Sequence, residues 1–100
     1  MKKTKMKINN LSAAAGDSKG EINLQWDSVA NAVSYVVEIA DPKLSNEIKW
    51  KIIDIISDPR YTVKDLKSNK NYLFRVALMT DDSQGKLNKN LSKKIIKKAP

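Results

Sequence analysis

The sequence contains no cysteine and no histidine. Without cysteine there is no disulfide framework, no thiolate nucleophile and no cysteine-bound zinc. Without histidine the chain lacks the commonest general base and the commonest metal ligand of proteins. These two absences exclude most hydrolytic and metal-dependent sites, so we expect no catalytic residues, no cofactor and no bound metal.

Long apolar runs are also missing. The start, Met1 to Lys7, carries the positive charge of a signal peptide, but Ile8 to Ala15 is too short and too polar for the apolar run of about 7–15 residues that must follow. Nothing approaches the roughly 18 continuous apolar residues of a membrane span. We therefore expect a cytoplasmic chain that does not contact membranes, or an extracellular one if an upstream signal has been removed.

Positive charge is concentrated at the two ends of the chain. The net charge is +8, yet the segment from Ile8 to Gly85 holds 9 basic and 11 acidic residues. The excess comes from ten lysines: Lys2, Lys3, Lys5, Lys7, Lys86, Lys89, Lys93, Lys94, Lys97 and Lys98. Lysines on edge strands block aggregation between sheets, and we interpret these ten first in that way. Binding to a polyanion or to an acidic protein remains as an alternative.

Short alternations of apolar and polar residues predict β-strands. The clearest lie at 22–26, 33–39 and 72–78, and turn residues separate such stretches about every 8–12 residues. This spacing favours about seven strands in an all-β, two-sheet antiparallel sandwich. Residues 46–57 fit either two short strands or one bent strand.

Several of these residues resemble the fibronectin type III pattern. The matching residues, which the resemblance makes the structural core, are Trp26, Tyr35, Val37, Leu66 six residues before Tyr72, Phe74 and Val76. The resemblance spans about 11–97 and implies a seven-stranded sandwich with immunoglobulin-like topology. We assign 1–7 to a basic N-terminal tail, 8–97 to the sandwich and 98–100 to a C-terminal tail.

The segment from Leu66 to Tyr72 departs from the family's usual Leu-x-Pro-Gly-x-x-Tyr. Ser68 replaces the proline and Asn69 replaces the glycine. Asparagine tolerates the left-handed conformation that glycine adopts there, so we expect the turn to survive. The resemblance makes Tyr72 the tyrosine corner, whose hydroxyl bonds the backbone upstream.

The resemblance also implies a non-catalytic binding or assembly module that uses pole loops or an exposed sheet face to contact another protein. We expect the binding residues at Trp50, Lys49 and Lys51, and in the last loop at Asp81, Asp82, Gln84 and Lys86. Trp50 is either an exposed anchor or packed on its own sheet. Asp81 and Asp82 lack the further oxygen ligands that calcium needs, so a solvated turn is favoured over a calcium site.

Two other functions stay open. The terminal lysines suit a small nucleic-acid-associated protein, although no arginine and no aromatic residue accompanies them to read or stack bases. An exposed Trp50 suits a carbohydrate-associated accessory module. The chain is expected to be a monomer or a weak homodimer, since Ile53, Ile55 and Ile56 exceed what one core face needs.

Overall fold

The computed structural model describes residues 8–30, 32–42, 48–80 and 91–100. Across these ranges β1, β2 and β5 form one antiparallel sheet in that order, and a second sheet has the order β4-β3-β6-β7. The strands are β1 (Ser12–Ala15), β2 (Ile22–Gln25), β3 (Ala32–Ala40), β4 (Lys51–Ile56), β5 (Arg60–Val63), β6 (Asn71–Thr80) and β7 (Ile95–Lys98). The predicted all-β, seven-stranded, two-sheet antiparallel sandwich is confirmed.

The core lies between the two sheets and is formed by the alternate residues of each strand that point inward. In β2, Ile22 and Leu24 are buried, whereas Asn23 and Gln25 are exposed. Facing them, the long central strands β3 and β6 contribute alternate residues from paired positions. The buried cluster comprises Ile8, Ile22, Leu24, Trp26, Tyr35, Val37, Val63, Phe74, Val76, Leu78 and Ala99. Each fully buried large side chain contributes about 1.5–3 kcal/mol to stability.

The residues expected in the core are found there. Trp26, only 5% exposed, makes an edge-to-face contact with Tyr35 at 5.3 Å between ring centroids. Val37, Phe74 and Val76 are fully buried, while Leu66 and Tyr72 are partly buried and pack against the cluster. An aromatic residue in this place supplies a large share of the apolar contact between the sheets.

The tyrosine corner forms in spite of the altered turn. The backbone N–H of Lys67 donates to the hydroxyl oxygen of Tyr72 at 3.0 Å. Asn69 adopts a φ of 65°, the left-handed conformation expected of it. Asparagine therefore adopts, at this position, the left-handed conformation that glycine adopts in the family's usual turn.

In the described part of the ambiguous region, residues 48–57, there is one strand, β4, with an irregular register. Asp54 pairs with Val37, but the next pair along joins Ile52 to Glu38, so β4 carries a bulge around Ile53. The bulge lets both Ile53 and Ile56 pack against the core. Trp50 precedes the strand.

The sandwich continues past the expected boundary at residue 97. Lys98 ends β7, and Ala99 is 1% exposed within the core cluster. The Ala99 N–H donates to the Lys70 carbonyl at 2.9 Å, and the Gly20 N–H donates to the Pro100 carbonyl at 3.0 Å. Residues 98–100 are therefore packed rather than free. The basic segment 1–7 lies outside the described residues.

Candidate binding surface

The four-stranded sheet has one face in the core and one face turned away from it. Tyr35 and Val37 of β3 point into the core, so Val36 and Glu38 beside them point to the opposite side. We call this opposite side the outer face. Register extends it across the sheet to include Ile52, Ile55, Val36, Glu38, Ala40, Leu73, Arg75, Ala77, Leu91 and Ile96, and the contact with Arg75 adds Trp50.

The outer face is apolar along both margins. Ile52 and Ile55 of β4 are 46% and 53% exposed, and Ile96 of β7 is 58% exposed. Between the margins lie smaller or buried residues such as Val36 and Ala77, which pair with each other. Large apolar side chains concentrated on one face mark interaction sites more often than the same residues scattered singly.

A charged group crosses the centre of the outer face. Arg75 donates through Nη2 to Glu38 Oε1 at 3.1 Å and through Nε to Oε2 at 3.3 Å. Glu38 is buried and lies directly opposite Arg75 in the β3–β6 register. The two-pronged geometry satisfies both carboxylate oxygens, which offsets the cost of removing the charge from water. The centre of the outer face therefore holds two opposite charges, those of Arg75 and Glu38, which cancel each other.

Trp50 lies over this ion pair. The Arg75 guanidinium carbon is 4.2 Å from the centroid of the Trp50 ring, a cation–π contact. Trp50 is half-buried, while Lys49 and Lys51 on either side are exposed. The tryptophan thus packs on its own sheet and also contributes an accessible edge to the outer face.

Of the other residues expected to bind, Asp81, Asp82, Gln84 and Lys86 lie outside the described residues.

The loop after β2 is held by internal hydrogen bonds. The Val29 N–H donates to the Tyr35 hydroxyl oxygen at 2.9 Å, and the Asn10 amide donates to Asp27 Oδ2 at 2.6 Å. Its polar groups are therefore partly engaged by the domain itself.

Sequence reasoning missed the role of Ile52, Leu91 and Ile96. A signal was present in the central strands, where Tyr35-Val36-Val37 and Val76-Ala77-Leu78 are apolar at consecutive positions. Alternation is expected when one face is wet, and continuous apolar stretches indicate cover on both faces. The pattern therefore pointed to a sheet whose outer side is not ordinary wet surface.

Burial and one acidic group of β4, Asp54, alter the titration of the neighbouring Tyr61. Burial raises the pKa of Tyr61, and the charge of Asp54 and a hydrogen bond to it raise it further. Elsewhere, Lys70 Nζ lies 2.6 Å from Asp41 Oδ2, and the hydrogen bond to Asp41 raises the pKa of this lysine. Both effects follow from local pairs rather than from a catalytic cluster.

Lys93 and Lys94 lie close to the described residues that follow the basic N-terminal segment. Ile8–Leu11 and Lys93–Ile95 line a common groove of about 380 Å³. Pro100 lies at the other end of the sandwich, beside Gly20. Lys93 and Lys94 therefore lie at the end of the sandwich that holds Ile8, whereas Lys97 and Lys98 lead towards the opposite end.

Among the residues that the structure describes, neither the two grooves nor the acidic side chains assemble a cluster of catalytic groups. A groove of about 510 Å³ lies along β2 and β5, and Asp58 is the single carboxylate among its lining residues. In the described ranges, no group of three or more acidic side chains could hold a metal ion. Within the same ranges, no helix has the length and apolar character needed to cross a membrane.

Solved structures with the same fold come from bacteria and animals. An Fn3-like protein from Clostridium thermocellum is 22% identical, with 89% of this chain and 86% of that chain covered and a TM-score of 0.72. The FN5 domain of Drosophila Lar is 17% identical, covers 94% and 95%, and has a TM-score of 0.71. The fn3 domain of human collagen alpha-1(XX) is 18% identical, covers 93% and 83%, and has a TM-score of 0.68.

At these identities the likeness establishes the fold alone. No curated protein matches the sequence. The fibronectin type III domain family matches residues 6–94, which is most of the chain. Together with the sandwich and the tyrosine corner, this match shows that the chain belongs to the fibronectin type III domain family.

Proposed function

We propose that this chain is a non-catalytic protein-binding module and that its partner docks on the outer face. Fibronectin type III domains are commonly interaction or scaffold modules and are typically non-catalytic. The observation that carries the proposal is that the half-exposed Ile52, Ile55 and Ile96 lie on the same sheet face as Trp50. A partner that covers these isoleucines gains their remaining apolar burial.

The ion pair under Trp50 suits this role. Because Arg75 and Glu38 already satisfy each other, a partner that covers the centre does not leave an unpaired charge behind. Trp50 is held in place by Arg75 before any partner arrives, which reduces the entropy lost on binding. Held aromatics surrounded by aliphatic side chains are typical of binding hot spots.

The test captures partners from the host lysate, after nuclease treatment and at high salt, with matched variants of the full chain. Ile96→Lys places a charge on the outer face, whereas Gln25→Lys places the same charge on the exposed side of the other sheet. We expect a polypeptide that binds wild type and Gln25→Lys equally and loses about tenfold or more with Ile96→Lys. Equal recovery with all three would reject the outer face, and recovery of no polypeptide would reject the module.

Polyanion binding is a second candidate, supported by the position of Lys93 and Lys94 beside Ile8, which directly follows Lys7. The measurement is the affinity for a single-stranded oligonucleotide as salt increases. Charge reversal of Lys93 and Lys94 should weaken binding more than charge reversal of Lys97 and Lys98 at the opposite end. For each phosphate contact, log affinity should fall by about 0.7 per unit of log salt concentration. Affinity that ignores salt rules this function out.

A further inference from the structure

The four-stranded sheet ends in two edge strands, β4 and β7. Among the described strands, β4 pairs with β3 alone, so its other side carries backbone groups without a strand partner. β4 reads Lys-Ile-Ile-Asp-Ile-Ile, with no net charge, no proline and no glycine. Short β-branched segments with no net charge are those that pair with another strand when they lie at an edge.

The other edges of the described sandwich are protected. β7 carries Lys97 and Lys98 within the strand, and Lys93 and Lys94 precede it. β1 is only four residues long and has no side chain larger than serine, and β5 begins at the charged Arg60. Lysine and arginine at an edge resist pairing because a second strand would have to bury their charges. Among these four edge strands, only β4 combines four isoleucines with a balanced charge, since Asp54 offsets its one lysine, Lys51.

We propose that β4 pairs antiparallel with β4 of a second copy of this chain, about a two-fold axis, to form a dimer with one continuous eight-stranded sheet. A symmetric antiparallel contact closes on itself, so the product is a dimer rather than a fibre. This proposal rests on the edge strand and does not depend on the proposed partner of the outer face.

The faces of β4 determine the register. Ile52 and Ile55 point to the outer face, because they pair with Glu38 and Val36 respectively. The register that sets Ile52 opposite Ile55 of the second copy keeps outer side chains with outer side chains. Ile52 and Ile55 share this face although they are three residues apart, because the bulge around Ile53 lies between them. A slip by one residue would oppose each outer isoleucine to a core-side residue of the second copy, which is unfavourable because opposed residues of paired strands lie on the same face. The dimer thus joins four half-exposed isoleucines in one cluster.

Charge complementarity supports the same register. Lys51 lies opposite Ile56 of the second copy and diagonal to its Asp54, within reach of a long side chain. The symmetric contact makes this pair twice. In the single chain Asp54 accepts a hydrogen bond from the Ile55 N–H at 2.8 Å, which occupies a backbone donor of the free edge. On pairing, that N–H donates to the second copy and Asp54 turns to Lys51.

Sedimentation equilibrium of the full chain over a range of concentrations tests the dimer. Ile55→Lys charges the β4 edge, and Ile96→Lys is the matched control, since both residues lie on the outer face and are 53% and 58% exposed. We expect the dimer dissociation constant to rise about 100-fold or more with Ile55→Lys and to change less than about threefold with Ile96→Lys. A wild-type chain that stays monomeric at millimolar concentration overturns the proposal, as does equal weakening by both variants.

Cysteine cross-linking tests the register without depending on Ile55→Lys folding. The natural chain has no cysteine, and residues 52 and 55 of one strand are about 10 Å apart, too far for an internal disulfide. In the proposed register the double variant Ile52→Cys with Ile55→Cys brings Cα atoms of two copies to about 4.5–5.5 Å. The double variant should cross-link about tenfold faster than either single variant, because strand pairing holds residue 52 of one copy next to residue 55 of the other. In a single variant the two cysteines of the dimer lie about 10 Å apart along the paired strands. Single variants that cross-link equally fast reject this register.

Discussion

The two edges of the four-stranded sheet, β4 and β7, are built on the same two central strands but have opposite surface chemistry. β4 carries four isoleucines and a balanced Lys51–Asp54 charge, whereas half of β7 is lysine. Both present a half-exposed isoleucine to the outer face, so apolar exposure alone does not distinguish them. The difference lies in the charge that a pairing strand would have to bury. Edge charge, rather than edge hydrophobicity, decides which side of this sheet is open to pairing.

The largest effect should come from the centre that both edges share. Glu38→Ala leaves Arg75 without the carboxylate that it now contacts at 3.1 Å. Because Glu38 is buried and Arg75 partly so, we expect the free energy of unfolding to fall by about 2–4 kcal/mol, measured by urea denaturation. The companion variant Glu38→Gln retains one hydrogen bond and should lose less. A loss below about 0.5 kcal/mol would mean that the pair does not hold the sheet together.

Removing the charge of β7 should make the two edges alike. Lys97→Ile with Lys98→Ile converts the strand into four consecutive isoleucines. We expect self-association to increase about tenfold or more, measured by light scattering against concentration, because the charge penalty on pairing has been removed. The control Lys97→Arg with Lys98→Arg keeps the charge and should behave as the natural chain. Unchanged association in the isoleucine variant would show that the lysines do not protect this edge.

The smallest effect concerns the titration of Tyr61 beside β4. Its pKa is raised in the folded chain, so the folded state holds the phenolic proton more tightly than the unfolded state. This contribution to stability is fully present below about pH 10, the ordinary pKa of tyrosine, and disappears as pH rises through the folded value. Asp54→Asn removes one cause of the shift and should lower the Tyr61 pKa towards its ordinary value, as followed by ultraviolet titration. A higher Tyr61 pKa in Asp54→Asn would contradict this account.

Local sequence by itself determined the strands and their core side. The alternation of Ile22 and Leu24 with polar neighbours places one face in the core wherever the strand pairs, since the side-chain period of a strand is two. The same holds for the turn at Asn69, whose left-handed conformation depends on a residue type that tolerates it. The roles of Trp26 and Tyr72 could likewise be predicted from the sequence alone, because the family resemblance that identified them depends on the order and spacing of residues along the chain.

The binding surface could be decided only by the tertiary structure. Glu38 and Arg75 are 37 positions apart, and nothing near either residue in the chain indicates that they face each other. Trp50 joins them only because β4 lies next to β3 with a bulge that resets its register. Whether a strand lies at an edge is also a property of the assembled sheet. The sequence alone therefore could not show whether the β4 isoleucines are exposed or packed in the core. Local pattern specifies which way a side chain points, and long-range strand pairing specifies what it meets there.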